Sequence, residues 1–161
     1  MTISYIALGS NLGNPAEQIA SALQAVAKLP ECELLAQSPW YRSVAIGPGQ
    51  QPDYINAVAQ LQTQLTPWQL LHALQAIENA HGREHHQRWG ARTLDLDILL
   101  YGSKTVTDSE LDIPHPRLQE RNFVLYPLFD LAPNLALPCG TTIGSLLARC
   151  PRQGLRLYQE N

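Results

Sequence analysis

Charge is scarce in this 161-residue chain: charged residues make up 16% against 45% hydrophobic, and the formal net charge is -3. That composition is globular and excludes a disordered or coiled-coil chain. The acidic total argues against a duplex-binding surface, and no strand carries an RNP-type aromatic pattern, so no nucleic-acid partner is expected. Cysteine is scarcer still. Cys32, Cys139 and Cys150 are odd in number, far apart and without the spacing of a zinc site or a disulfide framework, which fits a reducing cytosol. The opening residues MTISYIALGSNLGN lack a basic region, and no apolar run approaches the ~20 residues of a membrane span. A soluble, cytoplasmic protein without a membrane partner is the expectation. The Gly9–Gly13 loop lacks the lysine and Ser/Thr of a Walker sequence, so it reads as a turn needing permissive backbone rather than a phosphate loop. Neither repeats nor low-complexity stretches occur.

What is present reads as one domain, 1–161, long enough to bury about 70% of its unfolded surface. Ile3–Leu8 forms a first strand. Asn14, Pro15 and Glu17 then make a helix start, with Ile19, Ala22, Leu23 and Val26 at helical spacing. Leu34–Tyr41 is a second strand, ended or pushed to an edge by Pro39. Val44–Asp53 holds too much Gly and Pro for an element. Tyr54–Leu65 is a third strand that places Tyr54, Asn56 and Val58 on one face and Ile55, Ala57, Ala59 and Leu61 on the other. Thr66, Pro67 and Gln69 open a second helix with the stripe Leu70, Leu71, Leu74 and Ile77, ended by Gly82. Further on, Val124, Leu125, Leu128 and Leu131 mark a helix disturbed at Pro127, expected to cover the other side of the sheet. A short helix capped by Thr142 and a last strand near Leu155–Tyr158 complete the pattern.

The stretch Arg88–Gly102, RWGARTLDLDILLYG, organises the rest. From Thr93 to Tyr101 it alternates, with Leu94, Leu96, Ile98 and Leu100 on one face and Thr93, Asp95, Asp97, Leu99 and Tyr101 on the other. In a helix the two aspartates would diverge by about 200°, so only a strand brings both carboxylates together. Paired carboxylates suit a hard cation such as Mg²⁺, which takes one or two of them and fills its shell with water and phosphate oxygens. A strand with a solvated acidic face explains the alternation equally well. Arg83, Arg88, Arg92, Trp89 and Gly90 precede the strand and favour a metal–polyphosphate site.

The combination of GSNLG, PDYINAV, RWGARTLDLDILLYG and IPHPRLQERNFVLYPLFDLAP resembles the 6-hydroxymethyl-7,8-dihydropterin pyrophosphokinase family of folate biosynthesis, over about Ile3–Pro138. The resemblance implies an α+β fold: a ferredoxin-like βαββαβ core extended by C-terminal helices to a three-layer α/β/α sandwich. It implies transfer of the terminal diphosphate of ATP to the pterin hydroxymethyl oxygen, releasing AMP, with ATP as co-substrate and two Mg²⁺ ions. Its metal ligands fall on Asp95 and Asp97, and its pterin pocket on Ser43, Ile46, Tyr54, Asn56 and Phe123. Its ATP side falls on Gln75, Glu78, Arg83, Trp89, Arg92, Ile98, His115 and Arg121. Arg83 and Arg92 are also cast as catalytic, offsetting charge as AMP leaves. This chain departs from the pattern at Glu84-His85-His86-Gln87, a shorter loop without lysine, and at Pro116, where an aromatic is common.

Two rivals stand beside that reading. One is a non-catalytic ferredoxin-like module for metal or RNA; the other is a Mg²⁺-dependent nucleotidyltransferase using the same Asp-x-Asp pair. Small-molecule substrates and a monomer are expected.

Overall fold

The computed structural model describes residues 1–11, 13–44, 53–81 and 94–158. Its centre is β1 (Thr2–Ser10), which pairs antiparallel with β4 (Tyr54–Thr63) on one side and β5 (Asp95–Tyr101) on the other. Two shorter strands, β2 (Cys32–Gln37) and β3 (Tyr41–Ser43), both pair antiparallel with the far edge of β4. Along this edge β8 (Leu155–Leu157) adds to β3, giving a six-stranded sheet of order β5-β1-β4-β3-β8 with β2 also on β4. A separate hairpin joins β6 (Val106–Thr107) to β7 (Asp112–Ile113). The single second strand expected over Leu34–Tyr41 is therefore two, broken at Ser38–Trp40. Pro39 has no amide to give a ladder, and at the break the Ser38 hydroxyl, not a strand carbonyl, accepts the Val58 N–H at 2.9 Å.

The helices start where their caps place them. The Asn14 side chain accepts the Glu17 N–H at a long 3.4 Å to open α1 (Pro15–Ala27). A full capping box opens α2 (Pro67–Ala80): Thr66 Oγ1 accepts the Gln69 N–H at 3.2 Å, and Gln69 Oε1 accepts the Thr66 N–H at 2.9 Å. Pro127 is held inside α3 (Asn122–Leu131), and Thr142 caps the short α4 (Ile143–Ala148). Gly13, at φ 70°, supplies the permissive turn between β1 and α1.

Two apolar cores result. One unites Ile6, Leu8, Ile55, Ala57, Leu96 and Ile98 of the sheet with Ile19, Leu23 and Val26 of α1 and Leu70, Leu74 and Ile77 of α2. The other unites Tyr5 and Val58 with Leu125 and Leu128 of α3 and Ile143 and Leu146 of α4. Leu70 and Leu74 are fully buried, each contributing about 1.5–3 kcal/mol of hydrophobic stabilisation. The third helix thus covers the sheet opposite the first two, as its apolar pattern implied.

One alternation is corrected. Between Tyr5 and Ile6 the β1–β5 register shifts, so that Ile6 pairs with Ile98 but Tyr5 with Leu100, leaving Leu99 as an extra residue. Beyond such a bulge the faces exchange. Leu100 accordingly lies in the core with α3, and Tyr101 in the core with α1 and α2, the reverse of the strict alternation.

Candidate active site

Cross-strand partners share a face of a sheet, so register locates the site. Gly9 stands opposite Asn56 of β4 and also opposite Asp95 of β5, and Asn56 stands opposite Tyr41 of β3. Tyr41, Asn56, Gly9 and Asp95 therefore form one row across four strands. The next row of the same face runs through Val58, Ala7 and Asp97. This is the face that α3 covers through Val58, whereas the neighbours Leu96 and Ile98 turn to the core of α1 and α2.

At the β4 end of the row the polar groups are buried and bonded. Ser43 and Asn56 are 5% and 6% exposed, and the Ser43 hydroxyl donates to Asn56 Oδ1 at 2.7 Å. That bond turns the Asn56 Nδ2 away from β3, toward Gly9. Tyr54 is half-buried two residues earlier on the same face. Phe123, in the first turn of α3, packs against the core of that face, with the Arg121 guanidinium 5.5 Å from its ring centre. Two aromatics and an oriented amide thus share one face of the sheet, a set suited to a flat heterocycle with a polar edge.

At the β5 end the groups are acidic. Asp95 and Asp97 are partly exposed, two residues apart on one face. His115 Nε2 lies 4.0 Å from Asp97 Oδ2. The His115 amide donates to Leu99 O at 3.0 Å, and its Nδ1 accepts the Arg117 N–H at 3.2 Å. Nδ1 being an acceptor, the neutral ring carries its proton on Nε2, facing Asp97. Burial holds the imidazole pKa below its ordinary value; Asp97 pulls the other way, while Arg121 and Arg117 add to the depression. Two half-exposed carboxylates fit Mg²⁺, which needs few protein oxygens, better than a closed cage. Among the described residues no three of His, Cys, Asp and Glu gather as a metal cluster.

Residues 5–133 match the profile of the family described as 7,8-dihydro-6-hydroxymethylpterin-pyrophosphokinase (HPPK). The chain belongs to the HPPK family. It is 54% identical over 151 residues to the 2-amino-4-hydroxy-6-hydroxymethyldihydropteridine pyrophosphokinase of Pseudomonas aeruginosa, covering 94% of this chain and 93% of that one. Its identity to the protein of the same name from Haemophilus influenzae is 49% over 147 residues, covering 91% and 92%. Among solved structures, the wild-type HPPK-DHPS of Plasmodium falciparum with SDX-DHP matches at a TM-score of 0.71 and 15% identity. That match covers 92% of this chain but only 43% of the solved chain, so it speaks to fold alone.

The residues cast by the family resemblance do not all meet on the described surface. Ser43, Tyr54, Asn56, Asp95, Asp97, His115, Phe123 and Arg121 lie on or beside the row. Ile98 does not: its side chain is 4% exposed in the core of α1 and α2, on the opposite face. Gln75 is exposed on α2. Glu78, also on α2, is 4% exposed and accepts the Leu96 N–H at 2.7 Å, so it meets β5 through backbone. Ile46, Arg83, Trp89 and Arg92 lie outside the described residues. Sequence reasoning gave Gly9 no part in the site, since it ended the first strand at Leu8; the strand runs on to Ser10.

Proposed function

We propose that the row from Tyr41 to Asp95 is the catalytic face, with the pterin held between Tyr54 and Phe123 on Asn56, and the nucleotide held near Asp95, Asp97, His115 and Arg121. As an HPPK enzyme the chain catalyses ATP-dependent pyrophosphoryl transfer to hydroxymethyldihydropterin in folate biosynthesis. In that reaction the hydroxymethyl oxygen bonds to the β-phosphorus of ATP while the bond from that phosphorus to the α,β-bridging oxygen breaks. AMP leaves with the bridging oxygen, and the alcohol proton is released. Positioning and charge neutralisation carry such a transfer, because the protein has little covalent chemistry to do.

The observation that supports the reading is the register: Gly9 pairs with both Asn56 and Asp95, which puts an amide and a carboxylate on one face. Asp95 and Asp97 would hold Mg²⁺, two ions in our reading, and when bound Mg²⁺ supplies neutralisation of polyphosphate charge. Arg121 and the Nε2–H of His115 face that charge as donors. Arg83, Trp89 and Arg92 are read as nucleotide contacts, with Arg83 and Arg92 offsetting charge on the departing AMP; Gln75 and Glu78 are read on the ATP side as well, whereas Ile98, with its side chain buried in the opposite core, has only backbone to offer there. Ser43 and Ile46 complete the pterin side.

The architecture is read as a ferredoxin-like βαββαβ core with C-terminal helices forming a third layer, supported by α1 and α2 in one core and α3 and α4 in the other. Residues 1–161 are read as one pyrophosphokinase domain, acting as a cytoplasmic monomer. Among the described residues no helix is long and apolar enough to cross a membrane. The deciding experiment is product analysis with ATP and 6-hydroxymethyl-7,8-dihydropterin. AMP and the pterin diphosphate are expected; pyrophosphate would mean nucleotidyl transfer, and ADP a simple kinase.

A further inference from the structure

Gly9 occupies the middle of the catalytic row, opposite Asn56 on one side and Asp95 on the other. Those two partners are separated by two strand spacings, roughly 9.5 Å. A glycine in a strand interior weakens the strand, and one kept there often marks a place where a ligand or another group comes close to its backbone. Conformational freedom does not explain this one. Gly13, Gly102, Gly140 and Gly154 have positive φ, and Gly9 does not. Space does explain it: a Cβ on Gly9 would lie 3.0 Å from Asn56 Nδ2 and 3.8 Å from Tyr54 Cδ1.

The first of those contacts is not relieved cheaply. Asn56 is 6% exposed, and the buried Ser43 hydroxyl holds its Oδ1 at 2.7 Å. An amide pushed from the Gly9 side must shift by a few tenths of an ångström against that bond, which strains the pairing of two buried polar groups. Ser43 and Gly9 thus act on the amide from opposite sides, one fixing its oxygen and the other leaving room for its nitrogen.

We propose that Gly9 is a specificity-determining residue: its missing side chain is the floor over which the hydroxymethyl arm of the pterin crosses from Asn56 to the nucleotide at Asp95, with Ser43 as the positioning residue that aims the Asn56 amide across that floor. The inference deepens the assignment of the pterin to Asn56 and rests on it. A flat ring with a short arm lies flush on such a floor. Any side chain at position 9 stands under the arm and against the amide together, so it obstructs the pterin while leaving the carboxylates in place.

The test compares Gly9→Ala with wild type by calorimetric titration, using 6-hydroxymethylpterin and, separately, Mg²⁺ with a non-hydrolysable ATP analogue. Displacement of a substrate-positioning group by a fraction of an ångström predicts pterin affinity weakened about tenfold or more, with ATP-analogue affinity within about twofold. A purely structural role for Gly9 would weaken both ligands together. Asn56→Ala is measured alongside. If Asn56→Ala weakens the pterin but Gly9→Ala does not, the role of Gly9 is wrong and the pocket stands; if neither weakens it, the pocket assignment fails as well. Should Gly9→Ala lower the thermal midpoint, the pair Gly9→Ala, Asn56→Ala decides. With the amide gone the new methyl has room, so the pair is expected to melt with Asn56→Ala alone. A midpoint still depressed in the pair overturns the proposal, because the backbone and not the amide would then be what excludes a side chain.

Discussion

Glu78 Oε2, buried on α2, accepts the backbone N–H of Leu96 at 2.7 Å, and Leu96 is the residue between Asp95 and Asp97. Among the described residues β5 is the terminal strand of the sheet order, laddered to β1, with the His115 amide donating to Leu99 O as a further backbone tie. The carboxylate therefore ties the Asp-x-Asp segment to the helix packed behind it. A hydrogen bond to a charged group is worth about 1.5–3 kcal/mol, enough to matter to a strand at the end of its sheet.

Glu78→Ala is accordingly expected to lower stability by about 1–3 kcal/mol and turnover with it, because the amide of Leu96 loses its acceptor. Glu78→Gln keeps an acceptor oxygen and should fall between. Urea denaturation read beside steady-state kinetics checks this. Wild-type stability in Glu78→Ala would remove the strut role; a raised KM for ATP at unchanged stability would make Glu78 a nucleotide contact only.

Asp97 is 46% exposed and spends no buried bond on the core, so Asp97→Asn should change stability by less than about 0.5 kcal/mol. Activity is expected to fall by about a hundredfold or more in Asp97→Asn and in Asp95→Asn, since on the proposed reading each removes a carboxylate that would hold the Mg²⁺ neutralising the polyphosphate. Circular dichroism and turnover decide. Near-normal turnover in both variants would end the metal assignment.

Tyr54 on β4 and Phe123 on α3 lie on the same side of the sheet as Asn56. Stacking on one aromatic is worth about 1–3 kcal/mol to a nucleobase, and a pterin is similar in size and flatness. Pterin affinity should therefore weaken roughly 5- to 150-fold in Tyr54→Ala and in Phe123→Ala. Titration at fixed Mg²⁺ measures it, and unchanged affinity in both places the pocket elsewhere.

The cysteines should separate by reactivity. Cys139 is exposed, and the Thr141 hydroxyl and amide favour its thiolate, lowering its pKa. Burial raises that of Cys150. Between pH 7 and 8 a larger fraction of Cys139 is ionised, so iodoacetamide should modify it first. Peptide mass analysis over time gives the order, and equal rates for the two would contradict the assigned environments.

Periodicity and caps made much of this fold legible in advance. Asn14 and Thr66 announced α1 and α2, and the alternation from Tyr54 assigned both faces of β4, because caps and period-two patterns are local properties of the chain. The pairing of Asp95 with Asp97 on one face was legible for the same reason. The bulge at Leu99 was not, since an extra residue is visible only against the partner strand that it fails to match. Pro39 announced an end or an edge, but not that a separate strand resumes at Tyr41 with the Ser38 hydroxyl taking the Val58 amide from twenty residues away in sequence. Register is what brings Gly9, Asn56 and Asp95 into one row. Residues 47 and 86 positions from Gly9 become its neighbours through ladder hydrogen bonds, whose offsets follow from turns and core packing and leave no trace in local composition. The sequence by itself determined which residues could do the chemistry; only the tertiary structure decided which of them share a surface, because that depends on strand order and register rather than on any one segment.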